Sequence, residues 1–407
     1  MRPLSFTESL VFGFANFGSN MVYQLFNFGA GLYLEHYPAV PAWLVGLLSQ
    51  ERSLAGAFVQ PLVGAMSDRT RTRIGRRKPY FIVGVALTAA SLLFLGTFPP
   101  IVPMLLVLAV NAFFLNVAVD PFVALMADVV PPGQRGRVGA VLGVFTFVGA
   151  AATSILGATL WNASPSLVFT IVALGLVVAW TVTTVGVREP PLPAERPAPV
   201  RLDAGGYVRG LLAYRELAKY VGAAALYWLG TGGVIPYITR FGVHELGMSE
   251  GDAFTLALPA LGGSVIGAVI AGYLADRLGK KPVLAAALLF MGAVAIAGSQ
   301  AASIPQAYAV LAVIGLGNGA VTALVAPLLV DLVPPRRAAE MTGLGSGVWS
   351  LTQPIGALIA GTIVEITAGY RGAFIGAGTL VLLSFLVLLT VRAPYARAST
   401  LRAEVAH

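Results

Sequence analysis

The sequence predicts an all-α integral membrane protein of about twelve transmembrane helices, arranged as two pseudo-symmetric six-helix bundles. Three observations lead there. Of the 407 residues, 57% are hydrophobic and only 11% are charged; soluble domains carry roughly 25% charged residues, so this chain has too few to cover a water-facing surface. About twelve apolar runs reach the roughly 20 residues that cross a bilayer. Two sequence signatures then recur in the same order in both halves, as a duplicated transporter-like chain would show.

The first signature is Gly64-Ala65-Met66-Ser67-Asp68-Arg69, followed by Gly75-Arg76-Arg77-Lys78-Pro79, with its weaker copy Gly272-Tyr273-Leu274-Ala275-Asp276-Arg277-Leu278-Gly279-Lys280-Lys281-Pro282. The second is Asp128-Val129-Val130-Pro131-Pro132, repeated as Asp331-Leu332-Val333-Pro334-Pro335, each succeeded by two arginines. The offsets are 276 − 68 = 208 and 331 − 128 = 203 residues, nearly one spacing.

Spans are placed at 8–34, 42–66, 79–98, 102–127, 136–160 and 166–187, then at 217–242, 251–275, 282–302, 306–330, 338–365 and 371–392. The first run is too long for a cleavable signal peptide and lacks its flanks, so it reads as a span. Between the halves, Pro190-Pro191-Leu192-Pro193 and Arg196-Pro197-Ala198-Pro199 read as a proline-stiffened polar linker. The expected division is an N-terminal bundle over 1–188, a linker over 189–216, a C-terminal bundle over 217–392 and a tail over 393–407.

The net charge is +8, from 26 Lys+Arg and 18 Asp+Glu. The basic residues cluster at alternate connections, at both termini and in the linker, with Arg52, Arg240 and Arg371 as exceptions. That is the positive-inside pattern rather than a nucleic-acid footprint. With an even number of spans it places both termini in the cytoplasm, in a plasma (inner) membrane protein expected to be monomeric. There is no cysteine, and His36, His244 and His407 fall in loops or at the end, so neither a metal site nor a cofactor is expected beyond a proton gradient. No nucleophile elbow or metal motif is present, and an enzyme is not expected.

Gly64-x-x-x-Asp68-Arg69 with Gly75-Arg76-Arg77-Lys78 resembles the loop signature of the major facilitator superfamily, and the resemblance covers the whole chain. Val59-Gln60-Pro61 through Pro79-Tyr80, with Pro121-x-x-Ala124-Leu125-Met126-Ala127-Asp128, is similar to its sucrose-transporter and glycoside-pentoside-hexuronide branch. The resemblance implies alternating access and a cytoplasmic latch of Gly64, Asp68, Arg69, Arg76 and Asp128, mirrored by Gly272, Asp276, Arg277 and Asp331. Gly64 is expected to let two backbones approach, Asp68 to face a neighbouring helix N-terminus, and Arg69 with the basic residues after it to pair with Asp128.

A substrate cavity needs polar groups that lipid-facing helices cannot carry. Asn16, Asn20, Gln24 and Asn27 fall within an arc of about 80° at 100° per residue, with Tyr23 alongside. They face a cavity or a neighbouring helix, and the cavity is expected. Gln60, Asn116, Tyr227, Thr231, Asn318, Trp349 and Gln353 are further candidates; amides and hydroxyls mixed with aromatics suit a neutral polyhydroxylated ligand. Asp120 lies roughly 12 Å inside the cytoplasmic end of its span and is the leading candidate for proton coupling. Glu51 and Arg240 assist it or form an outer gate. Arg240 and Arg52 both look too far out to pair with it. Plant sucrose symporters carry an aspartate and an arginine in the fourth span where Ala112 and Val123 stand here. The sodium-coupled melibiose type has second-span carboxylates where Gly56 and Gln60 stand. The expected function is a secondary transporter of a sugar or glycoside-like solute, proton-coupled. A uniporter or exporter of another organic, amphipathic or lipid-like molecule is the alternative, and a non-transporting receptor lies behind both.

Overall fold

A computed structural model describes residues 3–38, 40–189, 214–333 and 338–392, leaving out the side chains of 57, 58, 61, 338–344 and 346. Most of the linker, the arginines after Asp331 and the C-terminal tail therefore lie outside the described residues. All regular structure among the described residues is helical. Among the described residues ten helical stretches are long and apolar enough to cross a membrane, three of them running through a short 3-10 turn. The two remaining spans are built from segments, 6–35 and 42–69, interrupted at Leu25–Gly29 and at Gln50. Large apolar side chains stand exposed along the helices, Val269 at 70%, Phe290 at 67% and Val102 at 64%, as lipid-facing surface does.

The chain divides into two units: Met1–Val40, Leu48–Arg201 and Met248–Thr255 form the first, and Pro41–Leu47, Leu202–Gly247 and Leu256–His407 the second. In unit 1, α1 (Phe6–Gln24) opens on a capping box in which Glu8 N–H donates to Ser5 Oγ and Ser5 N–H donates back to Glu8 Oε2. It runs through a π-helical turn, Leu25–Gly29, into α2 (Ala30–Glu35); such turns are rare and occur often at functional sites. The second span opens with α3 (Ala42–Ser49), most of which falls in unit 2. Its continuation α4 (Glu51–Arg69), α5 (Lys78–Leu95), α6 (Ile101–Val129), α7 (Arg135–Leu160) and α8 (Pro165–Gly186) complete the first half. Phe12, Phe81, Phe122 and Trp180 make its aromatic centre, with ring centroids 4.8 to 5.4 Å apart for three of the pairs. Trp180 Nε1–H donates to Ser19 Oγ at 3.0 Å, satisfying its one polar atom.

Unit 2 is built from α9 (Arg215–Val234), α10 (Ile238–Leu246), α12 (Ala257–Leu278), α13 (Lys280–Gly298), α14 (Ile304–Val330), α15 (Ala338–Thr367) and α16 (Arg371–Leu389), while the short α11 (Glu250–Ala253) belongs to unit 1. The two units share one packing scheme. In unit 1, α1 packs on α7 and α8, α4 on α6, and α5 on α6 and α8; in unit 2, α9 packs on α15 and α16, α12 on α14, and α13 on α14 and α16. The duplication read from the signatures is thus a duplication of contacts.

A close crossing joins α12 and α14. A Cβ placed on Gly263, Gly267, Gly315 or Gly319 would run into the carbonyl oxygen of Ala312, Leu316, Ala260 or Ser264 respectively. Four glycines in two reciprocal G-x-x-x-G pairs bring the two backbones into contact, the packing that helices use where no hydrophobic force separates lipid from protein.

Candidate functional site

Three charged or phenolic side chains converge inside unit 1. The Arg52 guanidinium lies over the Tyr23 ring, 4.0 Å from its centroid, and Arg52 and Gln60 are the side chains that act on the Asp120 carboxylate. Asn116 closes the cluster, donating from Nδ2 to Arg52 O at 3.1 Å and to Ala112 O at 2.8 Å. Tyr23 Oη, Arg52 Nε, Asn116 Oδ1 and one Asp120 oxygen are buried with no hydrogen-bond partner among the described residues. A buried polar cluster of this kind is costly unless a ligand, a water or a proton completes it.

The expectation that Arg52 sits too far out is corrected here. Counting from Ala42, Arg52 is ten residues along its span, roughly 15 Å, about half of a hydrocarbon core of roughly 30 Å. Asp120 is nine residues before the end of α6, roughly 14 Å from it. Asn116, one turn before Asp120 on α6, donates to Arg52 O, which sets the two charges within about one helical turn of each other. Glu51 is buried on the same helix, its Oε2 without a described partner, and neither Asp120 nor Arg52 is among the groups that act on it. Arg240 belongs to unit 2, where its guanidinium lies over the Tyr370 ring at 5.9 Å. Arg371, the third exception to the positive-inside pattern, pairs with Glu245 at 3.0 Å and donates to Ser299 O at 2.9 Å.

The first-span stripe has a different use from the one expected. Asn16 Nδ2 donates to Thr146 Oγ1 at 2.8 Å, Asn20 Nδ2 to Asn16 O at 2.7 Å, and Gln24 Nε2 to Ser154 Oγ at 2.9 Å. Thr146 and Ser154 both stand on α7, so Asn16 and Gln24 pin α1 to its neighbour, the helix-packing alternative. Asn27 is half-buried on the π turn. Of that face, Tyr23 alone joins the charged cluster.

Unit 2 holds an aromatic and amide cluster. Tyr227 Oη–H donates to Asn318 Oδ1 at 2.6 Å, and Asn318 Nδ2 donates to Ser264 Oγ at 3.1 Å across the glycine crossing of α12 and α14. Thr231 Oγ1–H turns back onto Tyr227 O at 3.0 Å. The Trp228 and Trp349 rings stand 6.5 Å apart, each with a buried indole N–H that has no described acceptor. Gln353 lies against Gly232, its Cα 2.7 Å from where a Cβ would stand.

The basic hinge of unit 1 is an ion-pair network. Arg76 and Arg77 both grip Asp128, the latter at 2.7 Å, and Arg77 reaches Asp68 at 3.3 Å. Arg77, not singled out from the sequence, is buried and also donates to Pro121 O at 2.9 Å. Burial pulls its guanidinium below the usual value, with Asp128 opposing that most strongly. An arginine nonetheless keeps its charge. Three expectations change. Arg76 and Arg77 hold Asp128, as expected of the basic residues after Arg69, but Arg69 itself makes no described pair with it. No described atom comes within 4 Å of a Cβ on Gly64 or Gly272, so neither marks a close approach here. Asp68 does not cap the neighbouring helix; Glu189 does. The backbone N–H groups of Arg76, Arg77 and Lys78 donate to its carboxylate at 2.8, 3.2 and 2.9 Å. Gly75 makes room with φ +122°, since a Cβ there would stand 2.6 Å from that carboxylate. Glu189→Ala is expected to cost about 2 kcal/mol, as loss of hydrogen bonds to a charged acceptor does; thermal unfolding of the purified variant checks it.

In unit 2, Gly279 repeats the positive φ at +89°, and Lys280 pairs with Asp331 at 2.7 Å where Arg76 pairs with Asp128. Arg277 does not pair with Asp331; its guanidinium lies over the Tyr273 ring at 4.3 Å. Asp276 is exposed. Lys281 Nζ donates to Leu389 O at 2.9 Å and to Val391 O at 2.6 Å, tying the third helix of this half to the end of the sixth as Glu189 does in the first.

The profile of the Major Facilitator Superfamily matches residues 12–267 and again 220–406. The chain belongs to the Major Facilitator Superfamily. It is an integral membrane protein of that transporter superfamily, and the relatives and folds it matches are transporters rather than enzymes. It is 25% identical over 252 residues to the agnestins efflux protein AgnL12 of Paecilomyces divaricatus, covering 59% of this chain and 55% of that one. It is 29% identical over 181 residues to the general alpha-glucoside permease of Schizosaccharomyces pombe, covering 38% and 32%. The match thus spans about half or less of the length of these relatives. Among solved structures, a bacterial homologue of the human lysosomal transporter Spinster superposes with a TM-score of 0.70 at 17% identity, over 97% of this chain and 95% of that one. That likeness is one of major facilitator fold.

Proposed function

We propose that this major facilitator protein is a secondary transporter of a small, neutral, polyhydroxylated solute, sugar or glycoside-like, coupled to protons through Asp120. It works by alternating access as a monomer in the plasma (inner) membrane, with both termini in the cytoplasm. The observation that carries the coupling is the Asp120, Arg52 and Tyr23 cluster at mid-depth in unit 1. Arg52 cannot give up its charge, while Asp120 can take a proton. With Asp120 ionised the pair is balanced and Arg52 rests on Tyr23. Protonation leaves the half-buried Arg52 without that counter-charge, a cost relieved when the helices rearrange or a ligand hydroxyl reaches it. That cost is what links proton uptake to movement.

The solute class rests on unit 2, where two indole N–H donors, Tyr227 and Asn318 offer ring faces for C–H surfaces and donors for hydroxyls. The permease relative supports the same class, its printed name being that of an alpha-glucoside carrier. The paired tryptophans and the efflux relative favour a second reading, export of a flat aromatic molecule. A thermal-shift panel separates the two. Mono- or disaccharides are expected to raise the melting temperature of the purified protein, with the shift lost in Trp349→Ala. A shift from planar aromatics and none from any sugar favours the second reading.

A further inference from the structure

A groove of about 400 Å³ lies along unit 2 where α12, α13 and α14 meet. Its lining, including Gly267, Leu274, Leu278, Ala287, Phe290 and Gly317, carries no charged or hydrogen-bonding side chain. Its volume is in the range of sites that hold small ligands, roughly 300–1,000 Å³. The rim stands out into the membrane, with Phe290 exposed at 67% and Leu278 at 63%. Along α12 the lining runs from Gly267 to Leu278, eleven steps or roughly 16 Å. That is about half of a hydrocarbon core of roughly 30 Å, the depth of a single leaflet.

One end of the groove meets the basic hinge. Leu278 and Pro282 line it, and Gly279-Lys280-Lys281 lies between them. At 100° per residue the groove-facing positions of α12 span an arc of about 100°, Arg277 falls about 20° outside it, and Asp276 falls on the opposite face. Arg277 is exposed, over the exposed ring of Tyr273, an aromatic of the kind that marks a membrane–water boundary. Lys280, three residues on, is engaged by Asp331 at 2.7 Å and by the Pro327 carbonyl at 3.5 Å. Lys281 faces away, toward the carbonyls that end α16. A one-leaflet apolar slot with an exposed guanidinium at its mouth complements one amphiphile, with an anionic head and an acyl tail.

We propose that this groove is a binding site for an anionic phospholipid of the hinge-side leaflet, one acyl chain lying in the slot and the headgroup phosphate at Arg277. The test reconstitutes the protein in equimolar phosphatidylglycerol and phosphatidylcholine, extracts it into mild detergent and weighs the intact complexes by native mass spectrometry. One retained phosphatidylglycerol is expected, preferred over phosphatidylcholine by about fivefold, the weight of one cation near an anionic headgroup. Arg277→Gln, a change at an exposed residue, should level the preference without removing the lipid. Ala286→Trp should fill the slot and remove the lipid. Phe290→Ala, which opens the exposed rim, should speed its loss even where the tryptophan variant does not fold. Equal retention of both lipids by the unmodified protein overturns the proposal, as does a preference that survives Arg277→Gln. A bound mass equal to a second copy of the chain with no lipid overturns it too.

Discussion

Asp120→Asn is expected to abolish accumulation of solute against its gradient while leaving binding and exchange in place. The asparagine keeps the shape of the side chain and its reach to Gln60 but can no longer gain and lose a proton. Arg52 then stays permanently unbalanced, locked into the arrangement that the protonated carrier visits only in part of its cycle. The converse variant, Arg52→Gln, removes the counter-charge from the carboxylate instead and is expected to lower stability by up to about 1 kcal/mol, as loss of a partly exposed charge partner does. Because both changes act through one interaction, the double variant Asp120→Asn with Arg52→Gln should recover most of that stability but none of the uphill transport. Thermal unfolding and uptake into proteoliposomes read these two outcomes separately. Undiminished concentrative uptake by Asp120→Asn would remove this residue from the coupling.

Gly319→Val is expected to prevent unit 2 from folding. A Cβ at this position overlaps the Ser264 carbonyl oxygen and comes within 2.7 Å of Ala268 N, and backbone cannot step aside as a flexible side chain can. Overpacking costs typically 1–3 kcal/mol even where side chains can shift, and here the crossing of α12 and α14 has to separate along its length. The Asn318 to Ser264 hydrogen bond that bridges the same crossing would be lost with it. Gly262→Ala is the matched control, since no described atom stands within 4 Å of a Cβ there. It should be neutral or stabilise slightly, because alanine favours a helix by roughly 0.5–1 kcal/mol over glycine. Monodisperse yield after solubilisation is the readout. Normal yield of Gly319→Val would mean that the crossing is looser than its geometry indicates.

The duplicated signatures, the twelve spans and the mid-membrane Asp120 are legible in the sequence because each rests on composition or local spacing. What escapes it depends on depth and on distant partners. Arg52 reads as an outer residue from the outline of its span, yet the Asn116 contact to its backbone brings it within about a turn of Asp120. Glu189 is an unremarked acid before a proline pair, and only the fold carries it 111 to 113 residues back to the N-terminus of α5. The first-span amides show why periodicity alone leaves two answers. An 80° stripe of carboxamides marks the face that avoids lipid, but Thr146 and Ser154 decide that Asn16 and Gln24 meet a helix. The four glycines of the α12–α14 crossing are visible as two G-x-x-x-G pairs, though among 47 glycines the spacing by itself does not single them out.

Proton movement driven by solute is the decisive readout of coupling through Asp120. Proteoliposomes holding a pH-sensitive dye, with no gradient imposed, receive the sugar that gives the largest thermal shift. The lumen is expected to acidify as the sugar enters, and Asp120→Asn to remove the acidification. Sugar entry at constant lumenal pH in the unmodified protein would contradict that coupling.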